Sequence, residues 1–143
     1  MSDDDPVIPR GYLSVMHEPV VPPSQQFSYD RFHFAAAVRT GDLLACSGQI
    51  GVDSHGAAIA DPEEQFTAAF EGVGAVLDEA GASWADVFEM TTFHVGLHDH
   101  LATFMTVRDR FLAEPWPAWT AIGCSELAVP GGLVEVRVQA RLS

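Results

Sequence analysis

Between Asp61 and Ala80 the apolar residues Phe66, Phe70, Val73, Leu77 and Ala80 recur at helical spacing. This stretch is therefore expected to be a helix with one buried face. Its ends are marked: Asp61 can cap it, Pro62 suits the first helical position, and Glu64 completes a capping-box arrangement. Gly81 then supplies a stop. A second helix is expected from Asp99, as cap, through Leu112, with Leu101, Phe104, Val107 and Phe111 inward and Pro115 and Pro117 beyond its end. Elsewhere the period is two. Phe32–Val38 alternates with Phe32, Phe34, Ala36 and Val38 on one face and reads as a strand. Arg39-Thr40-Gly41-Asp42 is a turn, and Leu43–Ile50 is the returning strand of a hairpin. Val87–Val95, Trp119–Leu127 and Leu133–Leu142 are further strands, the last two joined by the turn Val129-Pro130-Gly131-Gly132.

The order strands, helix, strand, helix, hairpin implies an α+β layer, a mixed sheet with two helices on one face. Residues 1–26 are Pro-rich and acidic, which predicts an irregular N-terminal arm with a short edge strand near Val7–Arg10. One domain is expected over 27–143. The last strand adds a constraint. Val134, Val136, Val138 and Ala140 share the face that should lie under the helices, while Leu133, Glu135, Arg137 and Gln139 share the other. The second face is too polar for a core, and two helices cover only one face. The simplest resolution is that the far face meets other subunits around a partly wet centre.

Charge removes several function classes. The chain has 143 residues, a net charge of −13, and seven basic residues, all Arg. Without Lys there is no Schiff-base lysine and no internal attachment point for pyridoxal phosphate. The acidity opposes nucleic acid, whose binding needs clustered cations. No apolar run is long enough to span a bilayer, so no membrane partner is expected. The opening Met1-Ser2-Asp3-Asp4-Asp5 is acidic where a signal peptide would be basic, so a cytoplasmic location is expected. Cys46 and Cys124 are read as reduced thiols.

Four blocks in order, Ser47-Gly48-Gln49-Ile50, Ala80-Gly81-Ala82-Ser83, Met90-Thr91-Thr92-Phe93 and Pro117-Ala118-Trp119-Thr120, resemble the RidA (YjgF-like) family of imine and enamine deaminases. The resemblance runs from about Phe32 to Arg141. It implies a chorismate-mutase-like fold, a homotrimer with a central barrel, pockets between subunits, and no cofactor or metal. It also implies site residues. The family's carboxylate-clamping Arg falls on Trp119, a pocket Tyr on Phe34, a pocket Asn on or near Met105, and a pocket Cys on Ala121. The Glu that positions the attacking water falls on Glu135, which is retained. Ser47 and Gly48 supply backbone groups lining the pocket. In a hydrolase reading Thr120 or His94 would donate a hydrogen bond, while His94 reads equally as a hydrogen-bonded interface residue.

Four polar groups are thereby replaced by Trp, Phe, Met and Ala. A carboxylate without a cation would be poorly compensated there. The expected ligand is a neutral, flat, more apolar molecule stacked on Trp119. Trp-Thr-Ala in place of the Arg motif resembles the YjgH-like branch of the family. The expected function is a divergent hydrolase or deaminase acting on an imine, enamine or related small molecule. The alternative is a non-catalytic small-molecule-binding or regulatory trimer. For Glu135, a structural ion pair with Arg137 or with another subunit competes with the catalytic role. No Gly-x-Ser-x-Gly elbow surrounds Ser47 or Ser125, which opposes a serine triad. His98 and His100 sit at a helix start with no third ligand in sight, so no metal site is expected.

Overall fold

The computed structural model describes residues 17–143. The strands are β1 (Glu18–Val20), β2 (Ala37–Thr40), β3 (Leu43–Cys46), β4 (Val87–His94), β5 (Ala118–Gly123) and β6 (Val134–Arg141). The helices are α1 (Gln26–Phe32), α2 (Pro62–Glu79) and α3 (Leu97–Arg108), with short 3-10 turns at Pro23–Gln25 and Trp84–Asp86. The strands form one sheet in the order β1-β2-β3-β6-β4-β5. Only β4 and β5 run parallel, joined through α3. The chain's last strand therefore lies inside the sheet, between β3 and β4.

The alternation of β6 is realised as read. Val134, Val136, Val138 and Ala140 are buried, while Glu135 and Gln139 are half-buried and Arg137 exposed. The buried set meets α2, whose Phe66, Phe70, Val73 and Leu77 are buried in turn. Burying each large side chain contributes about 1.5–3 kcal/mol. Asp61 caps α2 by accepting from the Glu64 amide at 3.0 Å, and Gly81 leaves the helix with φ +73°, a value glycine adopts without strain. α2 and α3 share an aromatic seam. Phe70 stacks on Phe111 at 5.1 Å, and Phe104 lies 5.5 Å from Phe70 and 5.9 Å from Phe66.

Several boundaries differ from the reading of the sequence. Phe32–Val38 is not one strand. Phe32 ends α1, His33 is left-handed (φ 61°), and pairing begins at Ala37. The helix is supported by the turn that opens at Pro23 and by a side-chain bond from Gln26 to Asp30 at 3.0 Å. Alternating aromatics alone misled there, because Phe32 and Phe34 face no sheet and are 63% and 46% exposed. A third helix thus joins the two expected ones, but none of its residues is buried, so the layer on the sheet remains α2 and α3. Within the expected irregular arm, Glu18–Val20 pairs antiparallel with β2. Val7–Arg10 lies outside the described residues. α3 starts two residues before Asp99, with Gly96 rather than Asp99 as its cap. β5 closes at Gly123 rather than Leu127, where the Cys124 amide bonds back to the His94 carbonyl at 2.8 Å.

One buried polar side chain ties the layers together. Gln65, in the first turns of α2, donates through Nε2 to the carbonyls of Ile59 (2.8 Å) and Gly131 (3.1 Å). Its Oε1 accepts from the Leu133 amide at 2.7 Å, one residue before β6. The helix start, the preceding loop and the entry to the central strand are thereby fixed to each other. Gln65→Leu would strand three backbone groups and is expected to cost about 3 kcal/mol, measured by urea denaturation. A loss under about 0.5 kcal/mol would show that the clamp is dispensable.

Candidate functional site

Glu135 sits on β6 opposite Phe93 of β4, on the sheet face turned away from the helices. The segment after β3 runs beside it. Gln49 and Val136 exchange both backbone hydrogen bonds at 2.9 Å, which presses Ser47 and Gly48 against the start of β6. A Cβ at position 48 would overlap the carboxylate and stem of Glu135. Glycine there makes room for the acid. The Ser47 hydroxyl donates to the Ala35 carbonyl at 2.7 Å, so it braces the loop and is not poised as a nucleophile.

The electrostatics of Glu135 follow from this placement. Burial disfavours its charged form and raises its pKa above the ordinary carboxylate range. Arg137 does not offset that shift: its Nε donates to the Cys46 carbonyl at 3.2 Å. The ion pairs among the described residues are Arg108–Asp109, Arg110–Glu63 and Arg141–Asp42, and none includes Glu135. The expected alternative of a Glu135–Arg137 bridge is absent from the described residues of this chain. A half-buried carboxylate without a cation is suited to hold a water and take its proton.

The second group of expected residues lies elsewhere. Trp119, on edge strand β5, pairs with Met90 and turns toward the helices. Its Nε1 donates to Thr92 Oγ1 at 2.9 Å, and Thr92 Oγ1 lies 2.7 Å from His94 Nε2. His94 is 1% exposed and packs edge-on against Phe104 at 4.8 Å. Burial lowers its pKa, keeping the imidazole neutral. Its Nδ1 is the one fully buried side-chain polar atom without a partner among the described residues. His94 was expected either to offer a hydrogen bond to a ligand or to be a hydrogen-bonded interface residue. In this chain it is buried, with Thr92 as its hydrogen-bond partner.

Trp119 is not a bare wall. The Arg108 guanidinium, from the last turn of α3, lies over the indole at 4.7 Å and 5.8 Å from the Trp116 ring. Phe104 packs on the same indole at 5.8 Å. An Arg side chain thus lies beside this position, although residue 119 is not itself a cation. Carrying residues over position by position could register only the loss of an Arg at 119. The signal for this neighbour was an Arg in the last helical turn followed by two Trp on the returning chain.

The remaining candidates divide between the two groups. Ala121 shares the helix-side face with Trp119, while Thr120 is exposed on the face of Glu135. Met105 is one turn before Arg108 on α3 and 38% exposed, and Phe34 is exposed in the loop after α1. Glu135, Ser47 and Gly48 form one group at the β3–β6 seam. Trp119, Ala121, Met105 and Arg108 belong to α3 and β5. Strand β4 separates the groups, and Trp119 and Glu135 point to opposite faces. Two surface concavities, about 450 Å³ along the start of α2 and about 300 Å³ beside Phe88 and Arg141, contain no candidate residue. Within this chain the two groups therefore face away from each other.

Residues 29–142 match the endoribonuclease L-PSP family model. The chain is 36% identical over 124 residues to the RutC family protein YjgH of Escherichia coli, covering 86% of this chain and 93% of that one. It is 30% identical over 108 residues to a 2-iminobutanoate/2-iminopropanoate deaminase of Salmonella typhimurium, covering 75% and 84%. A solved structure of protein YjgH superposes with a TM-score of 0.82 at 36% identity, over 90% of this chain and 98% of that one.

The burial of Glu135 has a measurable consequence. Its folded form holds a proton more tightly than the unfolded chain does. The associated stability is fully present below the unfolded value near 4.5 and is lost as pH rises through the raised folded value. Glu135→Gln is therefore expected to raise the melting temperature at about pH 7.5, with the gain vanishing at about pH 4. A gain that persists unchanged in acid would show that the charge is not its source.

Proposed function

The chain belongs to the endoribonuclease L-PSP family of YjgF/RidA-like proteins, and on that premise we propose that it hydrolyses the C=N bond of a small imine, or of the enamine in equilibrium with it. Glu135 takes a proton from a water molecule, whose oxygen adds to the imine carbon. The proton is returned to nitrogen, giving a carbinolamine; its hydroxyl proton then passes to the amine as the C–N bond breaks, so that ammonia leaves and a carbonyl compound remains. The observation that carries this reading is the half-buried, unpaired Glu135 carboxylate held over Gly48. The name of the Salmonella relative, an imine deaminase, supports it.

The catalytic unit in this reading is a homotrimer with a central barrel. The polar far face of β6 needs a cover that α2 and α3 cannot supply. The Glu135 seam of one subunit would then meet the α3–β5 edge of its neighbour, so that Trp119, Phe34, Met105 and Ala121 line the wall opposite the acid. Thr120, Ser47 and Gly48 border it. The acidic net charge of −13 opposes RNA as a substrate. No helix among the described residues is long and apolar enough to cross a membrane, and we place the enzyme in the cytoplasm.

The test is ammonia release from freshly generated imines, with and without enzyme. Glu135→Gln should lower kcat at least about 100-fold while the trimer survives in sedimentation. Unchanged turnover in that variant removes Glu135 from the mechanism. If no imine is turned over but small flat molecules bind by calorimetry, the site belongs to a ligand-binding trimer. That second reading is favoured by one observation: Glu135 has no proton-relay partner among the described side chains of its own chain.

A wild-type rate that falls as pH drops through the raised pKa of Glu135 is also expected, because only the carboxylate can act as base. A rate constant down to about pH 4 contradicts the assignment.

A further inference from the structure

We propose that Arg108 is the anion-binding group of this site and that it selects a flat monocarboxylate. The proposal rests on the pocket described above, but it concerns recognition rather than turnover. It also reverses the expectation of a neutral ligand.

Three features of Arg108 point to this role. Its side chain is 17% exposed, and its guanidinium plane is fixed by the Trp119 and Trp116 rings. Trp119 is itself held by the Thr92 hydroxyl, so the support is rigid. Second, the donors are only partly spent. Nε and Nη2 donate to Asp109 Oδ1 at 3.1 and 2.9 Å. Of the five N–H groups of a guanidinium, those on Nη1 and the second on Nη2 have no partner among the described residues. Third, those donors are not entombed, since His94 Nδ1 is the sole fully buried orphan among the described residues. A preoriented planar fork with a free outer edge is the geometry that takes a carboxylate through two parallel hydrogen bonds.

The surroundings narrow the ligand. Asp109 stands beside the guanidinium and is half-exposed, so the local charge is close to neutral. With the chain's net charge of −13, a dianion such as a phosphate monoester is repelled, whereas a single carboxylate is tolerated. Trp116 is 54% exposed and adjoins the guanidinium. It offers a flat apolar surface to the body of the same ligand. A merely structural Arg108, pinning the end of α3 to Asp109 and the indoles, would affect stability but not discriminate between an acid and its amide.

The experiment is equilibrium binding of cinnamate and of its neutral isostere cinnamamide to the intact oligomer, followed by tryptophan fluorescence and calorimetry. The wild type is expected to prefer cinnamate by about tenfold or more. Arg108→Gln should abolish that preference while binding cinnamamide as the wild type does, and Arg108→Lys should restore only part of it. Equal affinity of the wild type for both probes, no binding of cinnamate, or a preference that survives Arg108→Gln would each overturn the proposal. If Arg108→Gln does not fold, Arg108→Lys and the wild-type comparison decide. Imine turnover is not the readout. A protein without hydrolase activity that keeps an Arg108-dependent preference would sink the hydrolase reading and leave this one standing.

Discussion

The two faces of β6 impose opposite demands, one apolar and packed against a helix, the other polar. The strand lies at the interior of the sheet between β3 and β4, so its backbone groups are paired on both sides. Its Val134, Val136, Val138 and Ala140 face carries the core against α2. The opposite face, one residue out of phase, presents Glu135, Arg137 and Gln139. A slip of one residue would exchange these faces and bury three polar side chains under the helices. The Gln65 clamp at Leu133 holds the entry to the strand and so helps to set that register. The same register gives Glu135 its half-buried position above Gly48. Core packing and the candidate chemistry are thus two consequences of one alternation.

Elements whose signals are local were legible in the sequence. The Asp61 cap, Pro62 and Gly81 bracketed α2 to within two residues, and strict alternation gave both the strand and the facing of β6. The segment around Phe32 was not legible, because aromatic alternation was read as a sheet face where no sheet lies. The boundaries of α3 and β5 depend on Gly96 turning left-handed and on a hydrogen bond from Cys124 to His94, contacts that no local pattern announces.

The candidate site divides along the same line. Glu135 and Gly48 could be named in advance, because each keeps its place in a recognisable frame of motifs, and the structure then supplied the close approach between them. His94 could be named but not placed. A polar residue in an alternating strand reads the same whether it faces core or ligand, and only the packing of Phe104 shows it to be sealed. Arg108 could not be found by position at all. It comes from a different element from the one that the lost Arg would have occupied, and only folding brings it over Trp119.

The central claim is that acid and pocket wall come from different subunits. Mixed trimers test this directly. Glu135→Gln and Trp119→Ala chains, each expected to be nearly inactive alone, are unfolded, mixed in equal amounts and refolded together. With a shared pocket, random assortment gives about one site in four with both native residues, and imine turnover should return toward a quarter of the wild-type value. If the mixture is no more active than the two parents, acid and wall act within one chain or not at all, and the composite pocket is contradicted.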